Sequence, residues 1–307
     1  MKARMMAVLG LAAVLLSAAG MASADSFGIG ANRFDMDFVT ISGATNPASG
    51  SGIVGNDYRI GTFEITNAQW NKFKASLGVP VTGTPSFAYD ENSYWTGANL
   101  PTNMVSWYEA AQFVNWLNTS TGRHAAYKFT GTQGASDYAP AAWSAAEADG
   151  SNLLRHKDAF YYLPTEDEWL KAAYWNGTTL QTYATKNGLL PVARVDANYN
   201  YVDPHEPWNV GSGSQELNGT YDMMGNVWEW MESPWTSGDY GTGSARRLRG
   251  GSFYNGDNYL QPPNPNYEAP NVEWDSVGFR VASEVPEPAI VLLLASGGLA
   301  ILKRKRS

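Results

Sequence analysis

Not one of the 307 residues is cysteine. That excludes disulfides, a thiol nucleophile and a thiolate metal site together. Histidine is nearly as scarce: His124, His156 and His205 are scattered, and none has a second histidine at ligand spacing. They read as surface or hydrogen-bonded side chains. Basic charge is short as well. Between Asp25 and Leu302 there are 15 basic and 29 acidic residues, a net charge of −14. Phosphates need a basic footprint, so no nucleic-acid partner is expected. No internal repeat is visible, and no Ser-His-Asp arrangement can be assigned from spacing. Long uncharged apolar runs are confined to the two ends.

Both ends read as processing segments. Residues 1–24 combine Lys2 and Arg4, the apolar run Ala7–Ala19 and the small-residue triplet Ala22-Ser23-Ala24. This is the pattern of a secretory signal peptide, with cleavage expected before Asp25. At the other end, Val285-Pro286-Glu287-Pro288 precedes fourteen uncharged residues, Ala289–Leu302, and then Lys303-Arg304-Lys305-Arg306. Fourteen helical residues span about 21 Å, short of the roughly 30 Å hydrocarbon core. The basic cluster would stay on the cytoplasmic side. The order over residues 285–307 closely resembles the PEP-CTERM sorting signal of bacteria that make extracellular polysaccharide. The resemblance implies processing by an exosortase and a place in the cell envelope, at the cell surface or in the extracellular matrix. Membrane contact is expected only through this tail.

What remains, about 260 residues, is enough for one large domain or two small ones. Twelve Trp, 17 Tyr and 11 Phe supply a core, while 31 Gly and 16 Pro point to many loops. Residues 25–57 read as a lead-in segment with one short strand over Phe38–Ile41, and Tyr58–Ile65 as a strand. Three helix starts share one device. Thr66 stands three residues before Gln69, Ser106 three before Glu109, and Thr165 three before Glu168. Each is a capping box, in which the hydroxyl accepts from the third amide and the acid or amide reaches back. Apolar stripes follow at helical spacing: Trp70, Phe73, Leu77; then Trp107, Ala110, Ala111, Val114, Leu117; then Trp169, Ala172, Ala173. Residues 78–100 and 120–160 read as irregular surface connections. A linker over Glu232–Ala245 and strands over Arg246–Tyr254 and Val277–Ala282 complete an α+β pattern.

The densest stretch is Tyr221–Trp230, YDMMGNVWEW. Gly225-Asn226 is a turn signal, since both residues tolerate positive φ. Val227 to Trp230 then read as a strand. Glu229 stands between two tryptophans, and an acid among large apolar groups needs a cation or several donors to stay charged. Two readings remain at this point: an edge strand with Glu229 facing water, or a metal or hydrogen-bond site built on a tight turn.

Six segments in order carry a resemblance over the bulk of the chain. They are Tyr58-Arg59-Ile60-Gly61 with Glu64-Ile65-Thr66-Asn67; Pro101 with Val105–Ala111; Leu163–Trp169; YDMMGNVWEW; Arg249-Gly250-Gly251-Ser252-Phe253; and Gly278-Phe279-Arg280. In that order and spacing they resemble the sulfatase-modifying factor family, whose founding activity is the formylglycine-generating enzyme. The resemblance covers about Tyr58 to Ala282, placing the domain over residues 58–283. It implies a single α+β, loop-rich domain with a C-type-lectin-like core. The family's enzymes hold copper with two cysteines, and the matching positions here are Asn255 and about Leu260. Soft Cu(I) wants sulfur, so neither copper nor formylglycine formation is expected.

The resemblance also implies structural calcium, a hard cation that takes oxygen ligands. One site would use the side chains of Asp222 and Glu229 with the carbonyls of Gly225 and Val227. A first site would use Asn198, the Tyr199 carbonyl and Asp203. Trp228 and Ser252 match residues that line the enzymes' oxygen pocket. Tyr254, Asn255, Asn258, Tyr259, Tyr267 and Trp274 would line the groove where the enzymes hold substrate. Aromatic faces and amides there suit a sugar or a peptide. The expected function is therefore an exported, non-catalytic binding protein, with extracellular polysaccharide or a protein as ligand. A family enzyme with altered chemistry and a purely structural matrix protein are the alternatives.

Overall fold

Three side-chain oxygens start three helices, as the sequence pattern requires. In the computed structural model, which describes residues 23–89 and 92–286, these are α1 (Asn67–Leu77), α2 (Trp107–Ser120) and α3 (Glu166–Tyr174). Thr66, Ser106 and Thr165 each accept from the amide three residues on, and each capping box is closed by Gln69, Glu109 or Glu168. Gly78, in the left-handed region, ends α1. Helix α2 is buried on almost every face from Trp107 to Asn118, which makes it the spine of the larger core.

The strands are short. In chain order they are β1 (Ser23–Phe27), β2 (Phe34–Ile41), β3 (Tyr58–Gly61), β4 (Lys128–Thr130), β5 (Ala139–Ala141), β6 (Ala148–Asp149) and β7 (Asn152–His156). Then come β8 (Tyr161–Tyr162), β9 (Trp228–Pro234), β10 (Arg246–Arg249), β11 (Asn266–Glu268), β12 (Val277–Gly278) and β13 (Ala282–Glu284). A five-stranded sheet has the order β1-β2-β3-β13-β8, and a four-stranded sheet the order β11-β10-β9-β12. Strand β13 lies between β3 and β8, with Ala282 opposite both Ile60 and Tyr162. The end of the domain is thus stitched to its beginning.

Several expectations need correction. Residues 25–57 are not a lead-in. Strand β2 runs from Phe34, not Phe38, and β1 pairs with it from Ser23↔Phe38 to Phe27↔Phe34. Phe27, Phe34, Met36 and Phe38 belong to the core, packed on Trp116 and Tyr161. Phe34, Met36 and Phe38 alternate with outward-facing Asp35 and Asp37, the period-2 pattern of a half-buried strand. The 120–160 connection holds two hairpins, β4–β5 and β6–β7. Strand β9 runs past Glu232 to Pro234, into the expected linker. Strand β10 stops at Arg249, because Gly250 and Gly251 both take positive φ. Most of residues 1–24, and the tail from Glu287, lie outside the described residues. Among the described residues no helix is long and apolar enough to cross a membrane.

The N-terminal hairpin gives a direct test of domain extent. Phe27 is buried to 1% exposure, and Phe27→Ala should lower unfolding free energy by about 3–5 kcal/mol in urea melts. A loss below about 1 kcal/mol would make the segment an appendage, since surface changes stay near that scale.

Candidate functional site

Glu229 sits on β9, which has β10 on one side and β12 on the other, so it is not on an edge strand. Its side chain has no solvent contact. One oxygen, Oε2, accepts from Trp169 Nε1 at 2.7 Å and from Arg280 Nε at 2.7 Å. The other, Oε1, accepts from Arg280 Nη2 at 2.6 Å. The cation that an acid between tryptophans requires is therefore a guanidinium, and the water-facing reading is overturned. Arg280 also donates to the carbonyls of Gly61 and Tyr221, at 3.0 and 2.9 Å. One side chain so ties β9 to the end of β3 and to the turn before β9.

That turn needs unusual backbone. Asp222, Gly225 and Asn226 all have positive φ. A Cβ on Gly225 would lie 2.1 Å from the Asn198 carbonyl oxygen, a clash that leaves glycine as the fitting residue. Asp222 accepts from Trp208 Nε1 at 2.8 Å and from the Gly211 amide at 2.6 Å. Glu64 accepts from Asn226 Nδ2 at 2.6 Å and from the Val227 amide at 3.2 Å. Glu216 accepts from Thr220 Oγ1 and the Met223 amide, both at 3.1 Å.

Glu64, Glu216, Asp222 and Glu229 are all buried and converge on Arg280. Burial pushes the Glu64 carboxyl well up, and the charges of Asp222 and Glu229 add to that. Burial raises Asp222 too, against its hydrogen bonds and Arg280. Glu216 is pushed up to about 8 by burial, with Arg280 opposing. For Arg280, burial disfavours its charge, but Glu229 outweighs this and the value rises. The acids outnumber the cation they share.

The expected calcium sets fare differently. Asp222, Gly225, Val227 and Glu229 do lie together on this buried turn, with Arg280 and Trp169 as unforeseen partners. In the first set, Asn198 Oδ1 accepts from Arg194 Nη1 at 3.1 Å and its amide donates to the Glu206 carbonyl at 3.0 Å, while Asp203 is exposed. Among the described residues no group of three or more His, Cys, Asp or Glu side chains is placed to hold a metal. Of the histidines, His124 and His156 are not scattered in space: their rings stack at 4.7 Å.

The groove begins where β10 ends. Ser252 is buried, its hydroxyl donates to Asn255 Oδ1 at 2.7 Å, and the Ser252 amide donates to the same oxygen at 3.0 Å. Ser252 and Asn255 therefore close a turn on each other, with Asn255 half-buried. Leu260 is fully buried in the core, and its carbonyl accepts from the Tyr174 hydroxyl at 2.8 Å. Trp228 forms the floor of a cavity of about 180 Å³, with Leu248, Asn266, Glu268, Trp274 and Ser276. Tyr259 stands edge-on to Trp228 at 5.6 Å. Tyr267 is not in the groove: strand alternation sends it to the far side, where it stacks on Trp235 at 4.3 Å. Asn258 is exposed, and its carbonyl accepts from Asn264.

Beside the cavity is an open aromatic surface that the sequence reading only partly foresaw. Tyr201, Tyr254 and Trp274 are 50%, 41% and 50% exposed. Tyr254 packs on Phe253 and Tyr201, Tyr201 stacks on His205, and Trp95 meets Phe253 edge-on. The Tyr254 hydroxyl donates to Asp275 at 3.0 Å; burial, then this carboxylate, push the phenol up to about 12. Tyr94, Trp95, Tyr201 and His205 were missed, as were Asn266, Glu268 and Ser276 in the cavity. Their loops are far apart in sequence and carry no shared local signal.

Residues 20–285 match the family described as a sulfatase-modifying factor enzyme 1-like domain. Hercynine oxygenase of Mycolicibacterium smegmatis is 27% identical over 258 residues, covering 74% of this chain and 53% of that protein. The formylglycine-generating enzyme of Streptomyces coelicolor is 31% identical over 147 residues, covering 40% of this chain and 46% of that one. The chain spans about half the length of these curated relatives. Treponema denticola variable protein 1 shares the fold with a TM-score of 0.59 at 21% identity, covering 85% of this chain and 99% of that one. The expected α+β, C-type-lectin-like architecture is the one observed.

Two outcomes follow from the buried cluster. Arg280→Met leaves Glu229 charged and unpaired, so it should cost about 3–5 kcal/mol in chemical denaturation, unlike an exposed pair. For pH, Glu216 keeps its proton in the folded state up to about 8, whereas an unfolded Glu loses it near about 4.3. The folded state binds more protons in that window, so stability is greatest at its acid end and falls as pH rises towards about 8. Thermal melts between these limits should show that fall, and Glu216→Gln should flatten it.

Proposed function

The chain belongs to the sulfatase-modifying factor enzyme 1-like family, and we propose that it is an exported, non-catalytic member that binds a sugar or peptide ligand in its aromatic groove. The observation that carries this reading is the open surface of Tyr201, Tyr254 and Trp274 beside the Trp228 cavity. Most other tryptophans and phenylalanines are buried or half-buried, Trp235 and Phe87 being exposed elsewhere, whereas these three rings lie open together beside a cavity and can stack on a ligand. Asn266 and Glu268 on the cavity wall supply hydrogen-bonding groups at its rim. The positions that hold copper in the enzymes are filled by an amide turned onto Ser252 and by a core leucine. Neither is a ligand for soft copper. What hercynine oxygenase and the formylglycine-generating enzyme do belongs to those longer proteins.

Export, and residence at the envelope or in the extracellular matrix, rest on the two terminal segments, with an exosortase acting on the tail. A calcium ion is proposed at the Asp222–Glu229 turn. The buried acids outnumber Arg280, which favours a further cation; both Glu229 oxygens already accept from Arg280 and Trp169, so Asp222 with the Gly225 and Val227 carbonyls would be its principal ligands and Glu229 would join them only by sharing an oxygen. Its contribution would be structural, offsetting repulsion beneath the groove.

Glycan and peptide arrays probed with the purified protein should return at least one binder. Trp274→Ala and Tyr254→Ala should each weaken it about tenfold or more, within the range of aromatic anchors, without changing the melting temperature. An array with no binder points to a structural matrix protein. Oxidation of a cysteine in a sulfatase-motif peptide, with copper supplied, would overturn the non-catalytic reading. Separately, a calcium chelator should lower the melting temperature by several degrees, on the order expected for losing a few kcal/mol of linked binding, and Asp222→Ala should remove that sensitivity.

A further inference from the structure

The loop before Asp196 exposes an aliphatic patch that neither the groove nor the buried cluster uses. Leu189, Leu190, Val192 and Val195 are 65%, 51%, 58% and 63% exposed. Single exposed apolar residues are ordinary on a surface, but large aliphatics gathered on one short loop mark a contact. The loop backbone is held from within. The Leu189 amide donates to Asn187 Oδ1 at 3.1 Å, and its carbonyl accepts from Thr185 Oγ1 at 2.7 Å. The Val192 amide donates to Asp196 Oδ2 at 2.9 Å, and its carbonyl accepts from the Val195 and Asp196 amides at 3.1 and 2.8 Å. The Pro191 carbonyl accepts from the Tyr199 hydroxyl at 2.6 Å. Backbone groups satisfied in this way can leave water at little cost. Charge agrees with such a move. Between Asp25 and Leu302 the chain carries −14, yet Leu180–Val195 contains no Asp or Glu, only Lys186 and Arg194. Arg194 is committed to Asn198 and the Glu206 carbonyl, while Lys186 is exposed beside the patch.

The described chain ends nearby. Glu284, Tyr58 and Ile41 stand opposite one another on β13, β3 and β2, so two strand spacings, about 10 Å, separate Glu284 from Ile41. Ile41 lines a cavity together with Lys186 and Gln215, and those two also line the neighbouring cavity, whose wall is Leu189, Leu190 and Val192. The five steps from Glu284 to Ala289 reach at most about 18 Å, which ties the start of the apolar segment Ala289–Leu302 to this end of the domain. We propose that the Leu189–Val195 patch rests on the phospholipid surface that this segment enters, so that the domain is seated on the bilayer and not merely tethered to it. The proposal rests on the reading of the tail as the membrane contact and extends that contact to the folded domain. Leucine and valine side chains at the headgroup–acyl boundary lose apolar surface to water. Lys186 would meet lipid phosphates. The tail raises the local concentration of the patch at the membrane, so a contact too weak to recruit the protein alone suffices.

Because the chain has no cysteine, Leu190→Cys and Ile29→Cys can each carry a single fluorescent label. Ile29 is 87% exposed in the turn between β1 and β2, at the opposite end of β2 from Ile41. The full-length protein is reconstituted into vesicles of phosphatidylethanolamine and phosphatidylglycerol, with and without a nitroxide-labelled lipid. The label at position 190 should shift to the blue and lose most of its intensity to the nitroxide; the label at position 29 should do neither. Adding Leu189→Asp and Val192→Asp should restore the signal at position 190 while the protein still floats with the vesicles. The melting temperature should hold, since both side chains are exposed. Labels that behave alike at the two positions, on protein that floats, overturn the docking and leave the tail as the anchor. Protein that does not float removes the anchor reading and the docking with it. A blue shift at position 190 without quenching by the nitroxide places a second copy of the chain on the patch, which also overturns the proposal.

Discussion

A carboxylate and a guanidinium with no access to water hold the two sheets in register. Glu229 is central in the four-stranded sheet, and Arg280 leaves that sheet for the five-stranded one, so their paired hydrogen bonds fasten the crossing point. Trp169 adds a third donor from α3. Removing such charges from water is expensive, and the interaction repays it only when every polar atom is satisfied. Here the spare guanidinium hydrogens reach the carbonyls of Gly61 and Tyr221. The geometry of β3, β9 and the Asp222 turn is thereby set by one pair.

The surrounding acids give that pair a second consequence. Glu64, Asp222 and Glu216 organise loops: each accepts backbone or side-chain donors from a turn that has no helix or sheet of its own. Irregular backbone must find hydrogen bonds somewhere, and buried carboxylates with several acceptor sites serve many donors at once. Burial first, and then their mutual repulsion, raises the proton affinities of these carboxyls and leaves the region responsive to protons. The loops so held carry the exposed aromatic surface. Asn255 closes its own turn with Ser252 and Leu260 fills core space beside this framework.

Much of the fold was legible from local signals. The spacing of a hydroxyl and an acid or amide at Thr66, Ser106 and Thr165 marked the starts of three helices to the residue, since a cap is a matter of one turn of chain. The Gly225-Asn226 turn was legible for the same reason. The hairpin of β1 and β2 was less so: Phe34, Met36 and Phe38 alternate with Asp35 and Asp37 as a strand does, but which segment pairs with it is decided by tertiary packing. The place of Tyr267 was not legible: its neighbours Asn266 and Glu268 line the groove, and only the pairing of β11 with β10 decides which face each takes.

The sequence by itself determined the helices, the α+β class, the absence of thiol chemistry and the presence of an acid that would need a buried partner. Only the tertiary structure decided that the partner is Arg280, fifty-one residues away, that Arg194 holds Asn198, and that aromatic rings from separate loops form one surface. Caps, turns and residue chemistry depend on a few consecutive residues. The identity of a buried partner depends on which strands lie side by side, and that is settled by the packing of the whole chain.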